Sequence, residues 1–315
     1  MISKEILEKL SLTDFSAEKI IAGNNNSSYK IVSGNSKLLL KNYFHSSTDT
    51  RNRYSHEISL YRYLHHLGCN SIPELLACDE NHRQAIFEFI EGHKVQDISA
   101  EDIKACLTFI QKLNSANQTS QARKLPLAVD SSFSIPEFIN NIGKRFDRFK
   151  KVDLPVHVEA FLRDLLKIFK EASNNNPFSS QIITEESRCL SPSDFGFHNI
   201  LISKGKHYFF DFEYAGWDDP VKMVCDFLCQ PDFPIPRRFF DLFIAESQNI
   251  FVEYNSLQTK INYLLPLCRI KWCLIILNPF LKVEKQKRDF AGTFNDESLS
   301  FQWQKAKNYF TKYLD

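Results

Sequence analysis

Inside a carboxyl-terminal half whose apolar pattern is mostly helical, residues 199–213 read as β structure: NILIS, a KGK turn and HYFFDFE, with SPSDFGFH upstream and YAGWDDP downstream. In a hairpin, residues equidistant from the turn face each other. With the turn centred on Gly205, Asn199 and Asp211, each six residues away, become direct cross-strand neighbours, with Cβ atoms about 4.5–5.5 Å apart on one face. Two oxygen donors then converge at the open end of the hairpin, with no thiol or imidazole among them. That donor set suits magnesium, which keeps waters and completes its shell from substrate phosphates. Asp194 lies five residues before Asn199 in a loop, free to reach the same mouth as a base. Each residue alone is equally an ordinary turn or strand-end residue; together they specify a common geometry.

A chain of 315 residues exceeds one ordinary core of about 100–200 residues, which favours two lobes sharing a cleft. With 43% hydrophobic and 24% charged residues and only nine glycines, it is globular and not disordered. Lys and Arg total 39 against 38 for Asp and Glu, so no global field selects nucleic acid or an acidic membrane surface as partner. The eight cysteines are scattered without zinc-ligand spacing and read as reduced, mostly buried thiols. The amino-terminal MISKEILEKL lacks the uninterrupted apolar core of a signal peptide, so a cytoplasmic location is expected. WCLIILNPFL at 272–281 is too short for a bilayer span of about 20 residues and is broken by Pro279; it reads as a buried helix.

Residues from about 18 to 45 read as three strands separated by GNNN and SGNS turn clusters, and QAIFEFI at 84–90 as another, closed by Glu91-Gly92. Between them, Tyr54, Ile58, Tyr61 and Leu64 fall at helical spacing over about 51–66. From about 99 onward EDIKACLTFIQKL and VEAFLRDLLKIF are amphipathic helices. No internal repeat is visible.

SPSDFGFHNIL and YFFDFE together resemble the aminoglycoside phosphotransferase and choline kinase superfamily, in which a His-Gly-Asp-x4-Asn loop is followed by a hairpin and an Asp-Phe-Glu element. Pro192 and Ser193 stand where that family usually carries His and Gly. The resemblance covers about residues 20–230. It implies an α+β, bilobal, protein-kinase-like fold: a small antiparallel β amino-terminal lobe (1–92) that binds nucleotide and ends in a hinge, and a larger, mainly helical carboxyl-terminal lobe (93–315). It also implies ATP and Mg2+ as cofactors, Asp194 as catalytic base, and Asn199 and Asp211 as the metal ligands. Lys41 is then the strand lysine that meets phosphate and pairs with Glu57 on the next helix. Gly23, Asn24, Asn25, Asn26, Ser27 and Ser28 occupy the place of the nucleotide-covering loop, and the backbone of Glu88, Phe89 and Ile90 the place that reads adenine. Asp219 and Asp226 resemble positions that brace the catalytic loop, and a role accepting loop amides is expected of Asp226.

The implied reaction is phosphoryl transfer to a hydroxyl of a small molecule such as a sugar, amino sugar, amino alcohol or aminoglycoside. YAGWDDP is too short to hold the activation segment that docks peptides in protein kinases. Glu213, Asp218 and Asp219 near the mouth are candidates to attract a cationic substrate, or solvated loop charges. Trp272, Phe280, Phe290, Phe294 and Trp303 are candidates to stack on a sugar ring, or core residues. The altered Pro192-Ser193 pair supports the alternative of a pseudokinase that binds nucleotide or a partner without transfer.

Overall fold

The structure is a computed structural model; it describes every residue except 1, 21, 22, 24, 48, 50, 175, 179–181, 294, 295 and 315, and the side chains of 296 and 297. Of the residues singled out above, Asn24 and Phe294 therefore lie outside the described residues.

The amino-terminal lobe runs α1 (Lys4–Leu10), β1 (Ser16–Ile20), β2 (Ser27–Ser33), β3 (Ser36–Asn42), α2 (Arg53–His66), β4 (Leu75–Asp79) and β5 (Gln84–Glu88). Its strands form one five-stranded sheet in the order β1-β2-β3-β5-β4, antiparallel throughout. The period of two in β3 divides its side chains between two destinations. Leu38 and Leu40 join Ile31, Ile86 and Ile6 of α1 in a small core, while Leu39 and Lys41 face the cleft. Helix α2 is capped by Asn52, whose side chain accepts from Ser55 N, and the expected stripe of Tyr54, Ile58, Tyr61 and Leu64 is buried.

The second lobe contains α3 (Ala100–Asn114), α4 (Ile135–Phe149), α5 (Val156–Asn174), β6 (Cys189–Ser191), β7 (Ile200–Ser203), β8 (Lys206–Phe209), β9 (Gly216–Asp218), α6 (Pro220–Leu228), α7 (Phe240–Ile250), α8 (Leu257–Ile276), α9 (Lys282–Ala291) and α10 (Asp296–Tyr313). Helix α8 is buried along most of its length and packs against α4, α5, α6, α7 and α10. A short 3-10 turn, Asn278–Phe280, ends the apolar run at Pro279. Among the described residues no helix is long and apolar enough to cross a membrane.

Two small devices position the segments that carry Asp194 and Asp211. Phe109 of α3 stacks on Phe209, Phe212 and Phe195 at centroid distances of 4.3, 5.7 and 5.9 Å, gripping the residues beside Asp194 and Asp211, at about 0.5–1.5 kcal/mol per ring pair. Strand β9 pairs with β6, and Trp217 exchanges backbone hydrogen bonds of 2.9 Å with Pro126 and Ala128. The segment after the hairpin is thereby fixed on both sides.

The hairpin register differs from the sequence expectation by one residue. Ile200 pairs with Phe209 and Ser203 with Lys206. The turn is therefore Lys204-Gly205, both at positive φ (50° and 76°), the geometry a two-residue hairpin loop requires. Asn199 thus stands opposite Phe210, whose N–H donates to Asn199 O at 3.2 Å, and Asp211 lies one position beyond. A one-residue offset sends a strand side chain to the opposite face. The chain compensates because Asp211 itself takes a left-handed backbone, φ 68°, and its carboxylate turns back into the cleft.

Candidate active site

A cavity of about 840 Å³ lies between the lobes. Of the described residues expected to act in catalysis or to bind nucleotide or metal, its wall includes all except Ser27, which is buried with its hydroxyl 3.3 Å from the Tyr29 oxygen. Lys41 stands at the centre. Its Nζ lies 2.7 Å from Glu57 Oε2 and 2.6 Å from Asp211 Oδ1. Burial opposes the lysine's charge, but the Asp211 and Glu57 carboxylates outweigh it and hold Lys41 protonated well above its ordinary range. Glu57 is 1% exposed; burial pushes it up to about 7 although Lys41 pulls the other way. Burial also works against the Asp211 carboxylate, yet Lys41 brings it below the usual range.

The loop that carries Asp194 descends from β6, whose Leu190 is bracketed by Asn114 through a 2.8 Å bond to its N–H and a 3.0 Å bond to its carbonyl. Ser193 follows at φ 69°, a left-handed backbone that glycine adopts without strain; its N–H donates to Ser191 Oγ at 3.0 Å. Asp194 then presents its carboxylate to the cavity with Oδ1 3.3 Å from both His198 Nε2 and Gln230 Nε2. Burial disfavours the imidazolium of His198, but Asp194 outweighs it and raises the histidine above its ordinary value. Gly196 lets these groups close up, since a Cβ there would meet Gln230 Cγ at 2.8 Å and His198 Nδ1 at 2.9 Å. Asn199 donates its Nδ2 to Asp194 O at 3.0 Å, which leaves its Oδ1 as an acceptor.

Among the described residues no group of three or more His, Cys, Asp or Glu is placed to hold a metal. Asn199 and Asp211 are thus an incomplete oxygen set, of the kind that a hard cation completes with water and phosphate.

The covering loop is fastened to the opposite lobe. Asn25 Nδ2 donates to Glu213 Oε1 at 2.6 Å, Asn26 donates to Glu213 Oε2, and Asn26 Oδ1 accepts from Phe44 N at 3.2 Å. Burial raises Glu213 above the usual carboxylate range, and the Asp211 charge adds to it. At the hinge, Glu88 N donates to Glu74 O at 2.8 Å and Phe89 N to Lys37 O at 3.4 Å. Ile90 N has no such backbone partner among the described residues.

Three acids differ from their sequence readings. Asp218 and Asp219 are neither at the mouth nor solvated; both are buried. Asp218 accepts from Lys222 Nζ at 2.5 Å and Ser132 N at 3.2 Å, and Asp219 caps α6 at Val221 N and accepts from Tyr254. Among the described residues no loop amide donates to Asp226; it is paired with Lys271 and, at 3.2 Å, with Lys222, and receives the Cys268 thiol. Lys271 and Lys222 outweigh burial and hold it down to about 2. All eight cysteines are free, and seven are buried. Of the candidate stacking aromatics, Trp272 lines the cavity, Phe290 packs on Phe44, Trp303 packs on His157 and Phe161, and Phe280 lies against the core.

Sequence reasoning missed His198, Gln230 and the charged wall beyond them. Asp218, Lys222 and Asp226 do carry a readable signal, an acid-base-acid series at i, i+4 spacing. Arg51, Arg53, Glu284 and Lys287 carry none, because their meeting is tertiary.

The fold agrees with comparisons to known proteins. Choline kinase from Cryptosporidium parvum Iowa II superposes with a TM-score of 0.59 at 16% identity, over 96% of this chain and 92% of that one. Choline kinase LicA from Streptococcus pneumoniae gives 0.59 at 17% identity, over 98% of each chain, and a thermostable mutant of aminoglycoside phosphotransferase APH(4)-Ia gives 0.56 at 16%, over 99% of each. No curated protein sequence matches significantly. The model of one sequence family, described as the phosphotransferase enzyme family, matches residues 16–238. Since that span is most of the chain and contains the hinge, the catalytic loop and the hairpin, the protein belongs to the phosphotransferase enzyme family.

Proposed function

We propose that the protein transfers the γ-phosphoryl group of ATP to a hydroxyl of a small molecule, in the range of sugars, amino sugars, amino alcohols and aminoglycoside-like alcohols. The observation that carries this reading is the bridge of Lys41 between Glu57 and Asp211 in the cavity that Asp194 also faces. Family membership supports it. So do the solved ternary complexes of APH(4)-Ia with ADP and hygromycin B and with AMP-PNP and hygromycin B, which place a nucleotide and a small molecule on this fold.

In this reading residues 1–92 bind nucleotide, with adenine at Ile90 N, and residues 93–315 supply catalysis and the acceptor site. Asn199 Oδ1 and Asp211 would hold magnesium, which when bound neutralises phosphate charge. Lys41 contacts the phosphates, and Asp194 orients the acceptor hydroxyl and takes its proton as the oxygen bonds to the γ-phosphorus and ADP leaves. Gln230 and His198 hold the Asp194 carboxylate in place. Ser193 adopts the backbone a glycine would take, so the loop keeps its path despite Pro192-Ser193; this favours transfer over nucleotide binding alone. A cytoplasmic location fits the free thiols.

The test is ADP formation with Mg2+, ATP and a panel of sugars, amino alcohols and aminoglycosides, comparing the parent with Asp194→Ala. Turnover that survives the substitution sinks the assigned base, and nucleotide binding without turnover on any alcohol favours a pseudokinase.

A further inference from the structure

Away from the hinge, the cavity wall is built by the segment before α2 and by α8, α9 and α10. Arg51, Glu284 and Lys287 line it, with Arg53 and Arg148 bonded behind them. Asp49 receives Arg51 Nε at 2.6 Å and Arg53 Nη2 at 2.7 Å. Glu284 receives Arg148 Nη2 at 2.9 Å, Lys287, and Arg51 Nη2 at 3.5 Å. Four cations thus share two carboxylates. Glu213 Oε2, 3.9 Å from Arg53 Nε, brings the count to four against three. Among the described neighbours an excess of acid lies at Lys41, where Glu57 and Asp211 are both committed to that lysine, and the other groups are balanced. Arg145 with Asp130, Lys222 and Lys271 with Asp218 and Asp226, and Lys305 with Asp232 each balance among themselves.

Arg148 is more than a third exposed and solvated; for the buried cations, crowding of like charge is costly unless a counter-ion relieves it. Two details locate that cost here. Arg53 Nη1 is buried with no hydrogen-bond partner among the described residues. Lys287, 2% exposed, is brought down to about 8 by burial and by the like charges of Arg51 and Arg53, against the pull of Glu284. A cationic acceptor, by contrast, meets paired acids at this end among the described residues: Asp130, Asp226, Asp232 and Glu284 each hold a lysine or arginine.

Resting on the phosphotransferase reading and deepening it, we propose that Arg51 and Lys287, with Arg53 behind them, receive an anionic group, phosphate or carboxylate, carried by the acceptor. The acceptor class is then an anionic polyol, such as a sugar phosphate or sugar acid, in place of an amino alcohol. A planar guanidinium beside an ammonium suits the oxygens of either group.

With the nucleotide site saturated by Mg2+ and a non-hydrolysable ATP analogue, calorimetry with inorganic phosphate is expected to show binding that Lys287→Met weakens at least about tenfold and Glu284→Gln tightens. Unchanged affinity for the analogue certifies that each variant is folded, and the two opposite directions keep the test decisive if one of them is not. ADP formation is then compared for a neutral hexose, the matching hexuronic acid, the matching hexose monophosphate and choline. An anion is expected to exceed the neutral hexose in kcat/KM by about tenfold or more, and which anion does so separates carboxylate from phosphate. No phosphate binding, phosphate binding indifferent to both substitutions, or turnover of choline or hexose equal to that of the anions overturns the anion site while leaving the phosphotransferase reading intact. Phosphate binding that responds to the substitutions, with no turnover of any alcohol, overturns the acceptor assignment together with that reading.

Discussion

Lys41 Nζ and Asp211 Oδ1 lie 2.6 Å apart, so the carboxylate assigned to magnesium is also the nearest counter-charge of the lysine assigned to phosphate. The two assignments are coupled. Asp211→Asn removes one metal oxygen's charge and one of the two partners of Lys41. Nucleotide affinity in the presence of Mg2+ is expected to fall at least about tenfold, while affinity in EDTA changes little. Titration calorimetry in both conditions checks this; the same Mg2+ dependence in parent and variant counts against the metal site.

Asp194 touches His198 and Gln230 but neither Lys41 nor Asp211. Asp194→Asn should therefore separate chemistry from binding, with turnover down about 10²–10⁴-fold and nucleotide affinity nearly unchanged. Steady-state ADP release alongside calorimetry measures both. A loss of nucleotide affinity comparable to the loss of rate would place Asp194 in binding instead.

Ser193 is expected to tolerate glycine and little else. At φ 69° a side chain is strained, so Ser193→Gly should be neutral or stabilise by up to about 1 kcal/mol, whereas the β-branched Ser193→Val should cost about 1–3 kcal/mol. Thermal unfolding of the two variants provides the comparison, and equal stabilities would contradict the backbone assigned to this residue.

Asp226 is predicted to control acid stability. Its folded value of about 2 lies below the ordinary 3.8, so its contribution is complete above about pH 4 and is lost as pH falls from there toward 2, about 2 kcal/mol in all. Asp226→Asn removes the charge beneath Lys222 and Lys271 and should cost about 3–5 kcal/mol near neutrality, with a correspondingly flatter acid limb. Urea unfolding from pH 7 to pH 2 tests both; an acid limb as steep as the parent's would show that another group is responsible.

The sequence made some of this legible and hid the rest for physical reasons. The stripe of Tyr54, Ile58, Tyr61 and Leu64 could be read because burial of one helix face imposes a period, and Glu57 stood out as a charge within it. The hairpin could be recognised but not its register, because a lysine at position 204 gives no sign of adopting φ 50°. Asp218 and Asp219 looked like loop acids because the groups that bury them, Ser132, Lys222 and Tyr254, come from elsewhere in the chain. The charged wall of α9 was unreadable for the same reason: Lys287 and Glu284 meet Arg51 only through the tertiary fold.

Between Glu213 and α6 runs only Tyr214 to Asp219, and none of it hangs loose. Tyr214 O accepts from Val129 N at 3.0 Å, Ala215 O contacts His56 Nδ1 at 2.8 Å, residues 216–218 are zipped to β6, and Asp219 caps the helix. Enzymes throttled by freezing or releasing this stretch need slack chain at the entrance for a modifying group to grip. Among the described residues each of these six is held by a backbone, side-chain or capping bond, so this stretch offers no slack chain of that kind.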